Sequence, residues 1–166
     1  SADTPASAYR ITPDTPVGYQ LMGAAFAFSG AWLTYILART QLDRFGSAIA
    51  GSLYLALMAA YASYSGQSEV LFGPLTLGMA LLLHDPAHPR FATRMLWAML
   101  LGGLALQLKY TVLPQCAFFG LWALWHRWRA GAGLLRLSGE ALACVSLGLL
   151  PTALVALFYA LVGGFE

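Results

Sequence analysis

The sequence predicts an all-α membrane protein of about six transmembrane helices, and three observations carry that prediction. The first is composition: 59% of the 166 residues are hydrophobic and only 10% are charged, against about 25% charged in an average soluble domain. Nine Lys or Arg and seven Asp or Glu are too few to clothe a water-facing surface. The second is punctuation, because charges, prolines and glycines cut the chain into six apolar stretches on the scale of a spanning helix. The third is the placement of basic residues, which favours alternate links between those stretches. A soluble enzyme, a disordered tail and a basic nucleic-acid binder are excluded; the expected partner is the lipid bilayer, with no nucleic acid.

Residues 1–16 read as an outer loop. They hold no basic n-region, no apolar h-region and no cleavage signature, and Pro5, Pro13 and Pro16 favour an extended chain. A chain that opens this way reads as a piece of a longer protein. The first span is placed at 17–38 and the second at 45–64, joined by the charged link 39–44. The third, 67–84, has a purely apolar part that is too short to cross, so Gln67, Ser68 and Glu69 enter the membrane zone. The fourth and fifth spans, 91–108 and 111–125, are nearly continuous. As one helix, residues 95–125 would extend about 46 Å against a hydrocarbon core of about 30 Å. Pro114 disfavours helical geometry at Leu113 and suits the first turn of a new helix, which puts the reversal near 109–113. The sixth span is 137–162, with Pro151 as one ordinary kink. All six belong to a single polytopic domain, 1–166.

Orientation follows from seven arginines, Arg39, Arg44, Arg90, Arg94, Arg127, Arg129 and Arg136, in the links after the first, third and fifth spans, against Arg10 and Lys109 on the other side. Both termini, the 64–69 turn and the Lys109 turn are then extracytoplasmic. Merging the fourth and fifth spans would strand Arg127 and Arg129 on the outer face. Trp125 and Trp128 beside those arginines suit an interfacial belt. Small residues four apart, Ser47 with Gly51 and Ala48 with Ser52, would let helices approach closely. Richness in Ala, Leu, Gly and Arg suits a bacterial inner membrane protein.

Most chemically capable residues have ordinary explanations. Cys116 and Cys144 lie in apolar runs and read as packing residues. His84 and His88 have metal-ligand spacing, but Pro86 and Pro89 break any helix there, so they read as loop residues; His126 reads as interfacial. Tyr54, Tyr61 and Tyr64 share a helical face that suits packing or a belt. Glu140 stands where an acid favours a helix N-terminus. No Gly-rich phosphate loop, nucleophile elbow or HExxH motif occurs. What remains is Gln67, Ser68 and Glu69 at the outer end of the third span, and Lys109 with Tyr110 at the outer end of the fourth. An acid and a base on one membrane face could line one cavity. Lys109 would hold an anionic group, such as a lipid phosphate, as a compact point charge. Glu69 and Gln67 would bind a metal or a polar substrate. The alternative is structural: Glu69 and Lys109 cap turns, or pair with each other, at the interface.

Two segments, Gly66-Gln67-Ser68-Glu69-Val70-Leu71-Phe72-Gly73-Pro74-Leu75 and Leu101-Gly102-Gly103-Leu104-Ala105-Leu106-Gln107-Leu108-Lys109-Tyr110-Thr111-Val112-Leu113-Pro114, separated by an Arg-containing loop, resemble membrane glycosyltransferases of the protein-mannosyltransferase and aminoarabinose-transferase kind. These are GT-C fold enzymes, loosely grouped as family 39-like, and the resemblance is best over residues 13–128. It implies transfer of a sugar from a polyprenyl-phosphate donor to an acceptor glycan, lipid or protein on the extracytoplasmic face, by displacement at the anomeric carbon. It also implies an acidic residue in the first outer loop, often with a divalent metal ion as cofactor. That loop should follow a span upstream of Ser1, so this chain alone is expected to be inactive. By position, Lys109 with Tyr110 resembles the donor-phosphate site, and Glu69 with Gln67 the polar end of a core helix near it. A non-enzymatic transporter segment or assembly scaffold is the competing reading. A transporter would be expected to show broken helices at mid-membrane or an internal repeat.

Overall fold

The computed structural model describes residues 16–61 and 68–162, and within them the chain is all-helical, with no strand. Six α-helices follow in order: α1 (Pro16–Ala38), α2 (Arg44–Tyr61), α3 (Ser68–Leu83), α4 (Phe91–Leu108), α5 (Leu113–Arg129) and α6 (Leu134–Val162). A 3-10 turn, Tyr110–Val112, joins α4 to α5. Local chemistry sets these ends. The Asp43 carboxylate accepts from the Gly46 amide at 2.8 Å and caps α2, and His84 Nδ1 donates to the Leu81 carbonyl at 2.6 Å as α3 closes. After α5, Gly131 takes φ 85°, a left-handed conformation that glycine adopts without a Cβ penalty. Its N–H donates to Trp128 O at 2.9 Å and that of Ala132 to Arg127 O at 3.1 Å, the paired bonds of a Schellman ending.

Three segments, Gln20–Ala38 of α1, all of α4 and all of α6, are long and apolar enough to cross a membrane, at 19, 18 and 29 residues. Arg44–Ala60 and Val70–Leu83 are shorter apolar helices. The 16 residues of α3 rise about 24 Å. The fifth helix starts at Leu113 rather than 111, after the 3-10 turn, and continues to Arg129 because nothing interrupts helical geometry before Gly131. The sixth begins at Leu134 and so takes Arg136 into its first turn.

The fourth helix is the centre of the fold. It packs against α3, α5 and α6, while α1 packs against α2 and α3. Met95, Ala98 and Met99 of α4 are buried with Met79 and Leu83 of α3, Ala123 of α5 and Cys144 of α6. The short 84–90 link returns α4 antiparallel to α3, with Leu83 and Phe91 in one cluster, and Leu101 over Gly78 with Met79 over Gly102 sets their level. Gly103 faces Gly148, and four residues on Gln107 Nε2 donates to Thr152 Oγ1 at 2.6 Å, so α4 and α6 run parallel. On that register α6 outruns α4. Residues 153–162 rise about 15 Å beyond the Gln107–Thr152 bond, and all of them are exposed.

Of the two small-residue pairs in α2, only one is used for close approach. Ser47 is fully buried and Gly51 lies against the Ala31 carbonyl of α1, whereas Ala48 and Ser52 are exposed. Equal spacing cannot distinguish the pairs; the direction in which α2 faces α1 does.

Candidate functional site

Chemistry at the Lys109 turn is framed by how α4 ends. Lys109 leaves the helix in an extended conformation (φ −158°, ψ 120°) while its N–H still donates to Ala105 O at 3.1 Å. Its carbonyl accepts from Val112 N–H at 3.2 Å, closing the 3-10 turn. Val112 is fully buried and pins the turn, and Pro114 opens α5 where a missing N–H costs nothing. The result is a tight reversal with Lys109 half-buried and Tyr110 83% exposed. Antiparallel register places Lys109 level with the first turn of α3, which contains position 69. Gln67 and the Glu69 side chain lie outside the described residues. Lys109 and the start of α3 therefore share one end of the α3–α4 hairpin. Arg90 and Arg94 mark the opposite end, with Arg127, Arg129 and Arg136 at the adjoining ends of α5 and α6.

That opposite end holds an ion pair that sequence reasoning missed. Arg127 Nε and Nη2 donate to the two Glu140 oxygens at 2.9 and 2.5 Å, and Arg136 Nε approaches Oε1 at 3.3 Å. Arg127 and Glu140 keep only 18% and 14% of their side chains exposed. The hydrogen bond from Arg127 to Glu140 holds its guanidinium above the ordinary range. Such a bidentate fork is directional and ties α5 to α6. A signal existed in the sequence, a single acid beside a basic cluster, but the helix N-terminus already accounted for it. Gln107–Thr152 was missed similarly, since no spacing rule links side chains on α4 and α6.

The remaining candidates are occupied structurally. His88 Nδ1 accepts from the Arg90 amide at 3.0 Å in the α3–α4 link, and the His126 ring lies against Trp122 at 4.3 Å between centroids. Cys116 Sγ fits over Gly102, and Cys144 is buried in the core. Tyr54 sends its hydroxyl between Gly30 of α1 and Gly73 of α3, where it is buried with no hydrogen-bond partner among the described residues. Among the described residues no three His, Cys, Asp or Glu side chains gather as metal ligands. The side chains of Glu69 and Gln67, which the family resemblance sets near a metal or polar substrate, lie outside that set.

Compared with known protein families, curated proteins and solved structures, the chain matches none.

Proposed function

We propose that this chain forms part of a polytopic membrane glycosyltransferase that moves a sugar from a polyprenyl-phosphate donor to an acceptor on the extracytoplasmic face. The reading rests on the two segments quoted above and on one structural observation. Lys109 stands at a tight turn on the end of the α3–α4 hairpin where α3 begins, opposite the arginine-bearing end. A lipid-phosphate donor keeps its charge at headgroup depth and its tail among apolar helices. An ammonium group at a helix end is suited to that depth, since a charge deep in the hydrocarbon costs about 2.5–3.5 kcal/mol on insertion scales. In this role Lys109 stabilises the phosphate as the bond from its oxygen to the anomeric carbon breaks. Tyr110 follows it in the chain, Glu69 and Gln67 supply polar groups on the same membrane face, and a base takes the acceptor's proton. Lys109→Ala in the full-length protein is expected to abolish sugar transfer while expression and membrane insertion stay intact; unchanged turnover refutes the role.

The same proposal carries a topology: all six helices cross a bacterial inner membrane, with Lys109 outside and the arginine-bearing links inside. Single-cysteine labelling checks it. Tyr110→Cys should react with an impermeant maleimide in intact cells, and Ala132→Cys only after lysis; the reverse pattern inverts the orientation. The competing reading, a scaffold or transporter segment, draws on the exposed apolar end of α6 at 153–162. It predicts that Glu69 and Lys109 variants lose stability together and that charge reversal restores it.

A further inference from the structure

An apolar groove of about 490 Å³ opens along α5 and the start of α6, lined by Phe118, Leu121, Trp122, Trp125, Trp128 and Leu137. Its volume is that of a small-molecule site. Its floor has no polar side chain to orient a sugar or nucleotide. The five aromatic and aliphatic positions on α5 follow helical spacing and form one stripe. From Phe118 to Trp128 that stripe is about 15 Å long, the depth of one leaflet of a hydrocarbon core about 30 Å thick. Trp125 and Trp128 remain 51% and 53% exposed, and Leu121 70%.

One end of the stripe is basic. Arg129 lies one turn beyond Trp125 on the same face, and Arg136 precedes Leu137 at the groove's α6 wall, with 70% of its side chain exposed. Arg127 and Arg136 both pair with Glu140, so where α5 meets α6 one carboxylate faces the three guanidinium groups of Arg127, Arg129 and Arg136, and positive charge is in excess. An apolar channel of leaflet depth ending in a cluster with more guanidinium groups than carboxylates is complementary to an anionic amphiphile. We propose that this groove seats an acyl chain of an anionic glycerophospholipid from the leaflet on the arginine side, with Arg129 and Arg136 holding its phosphate. The site lies at the opposite end of the bundle from Lys109 and rests on the membrane-spanning reading alone, independent of glycosyl transfer.

Tryptophan quenching by brominated lipids tests this on the intact chain, because three of the five tryptophans line the groove. Trp32 and Trp97, each 58% exposed, are first replaced by phenylalanine so that emission reports Trp122, Trp125 and Trp128. The protein is reconstituted into phosphatidylcholine vesicles containing a small fraction of either brominated phosphatidylglycerol or brominated phosphatidylcholine. Preferential quenching by the glycerol lipid is expected, with each arginine contributing about fivefold in relative association. Arg129→Ala with Arg136→Ala should remove the preference, and Arg129→Lys alone should retain most of it. Equal quenching by the two lipids, or a preference that survives the double variant, overturns the proposal. Absence of quenching by both lipids in protein that still floats with the vesicles also overturns it, and points to a protein segment or second copy in the groove. Protein that does not float with vesicles defeats the membrane reading itself.

Discussion

The α4–α6 contact and the junction of α1, α2 and α3 both depend on glycine, yet they use it in opposite ways. At Gly103, an added Cβ would collide with the Gly148 carbonyl and sit 3.1 Å from Pro151 Cδ, so backbone meets backbone. At Gly30 and Gly73, the missing Cβ instead leaves room for the tip of the Tyr54 ring. The first contact is closed by polar ties, Gln107 to Thr152 toward the Lys109 end, and α6 is held to α5 by Glu140 and Arg127 at the other. The second has no such tie to the Tyr54 hydroxyl among the described residues. Without a hydrophobic drive between helices in lipid, close packing and interhelical hydrogen bonds supply the association. The α4–α6 pair uses both, and around the Tyr54 hydroxyl the described residues supply packing alone.

Of the two glycine contacts, the larger consequence falls on the one between backbones. Gly103→Ala forces two helix backbones apart and should cost about 1–3 kcal/mol, read as a lowered midpoint of thermal unfolding in detergent. Gly30→Ala, in contrast, meets the end of a side chain that can swing away, so its loss should be the smaller of the two. Equal losses would mean that Tyr54 is as immovable as backbone. Comparable in size is Glu140→Gln, which removes the charge from the α5–α6 fork and leaves the Arg127 guanidinium largely buried and half-paired. A charge-assisted hydrogen bond contributes about 1.5–3 kcal/mol, and the loss should appear in the same unfolding assay. Loss from Arg127→Ala combined with Glu140→Ala smaller than the two single losses added would identify the pair as coupled.

These contrasts also show which parts of the molecule the amino-acid pattern could convey. The helical class and the break at Lys109 follow from quantities local to the chain: apolar run length, a run too long for one crossing, and Pro114 where a helix must begin. The arginines at helix ends and the extended Lys109 are likewise properties of position along the chain. Partner choice is different. Ser47–Gly51 and Ala48–Ser52 have identical spacing, and only the α1–α2 crossing selects the first. Arg127 and Glu140 are separated by a Schellman turn whose exit direction decides whether they meet. Tyr54 resembles an interfacial belt residue until two glycines from other helices surround its hydroxyl. At the candidate site, the level of Lys109 against α3 comes from Gly78 and Gly102 admitting Leu101 and Met79, a packing detail that no single segment encodes.

Tyr54→Phe is expected to have the smallest effect, and it is the sharpest test of the contrast. A buried hydroxyl without a partner forfeits the hydrogen bonds it made elsewhere, a desolvation cost of about 1–3 kcal/mol. Phenylalanine keeps the ring that fills the space beside Gly30 and Gly73 and removes only the oxygen. The variant should therefore unfold at an unchanged or higher midpoint, whereas Tyr54→Ala, which empties the junction, should be destabilised by about 3–5 kcal/mol. A marked loss for Tyr54→Phe would mean that the hydroxyl has an acceptor after all, and the junction would then be held by a polar tie like the α4–α6 contact. In that event Gly30→Ala should also become costly, because swinging the ring away would break a hydrogen bond as well as a packing contact.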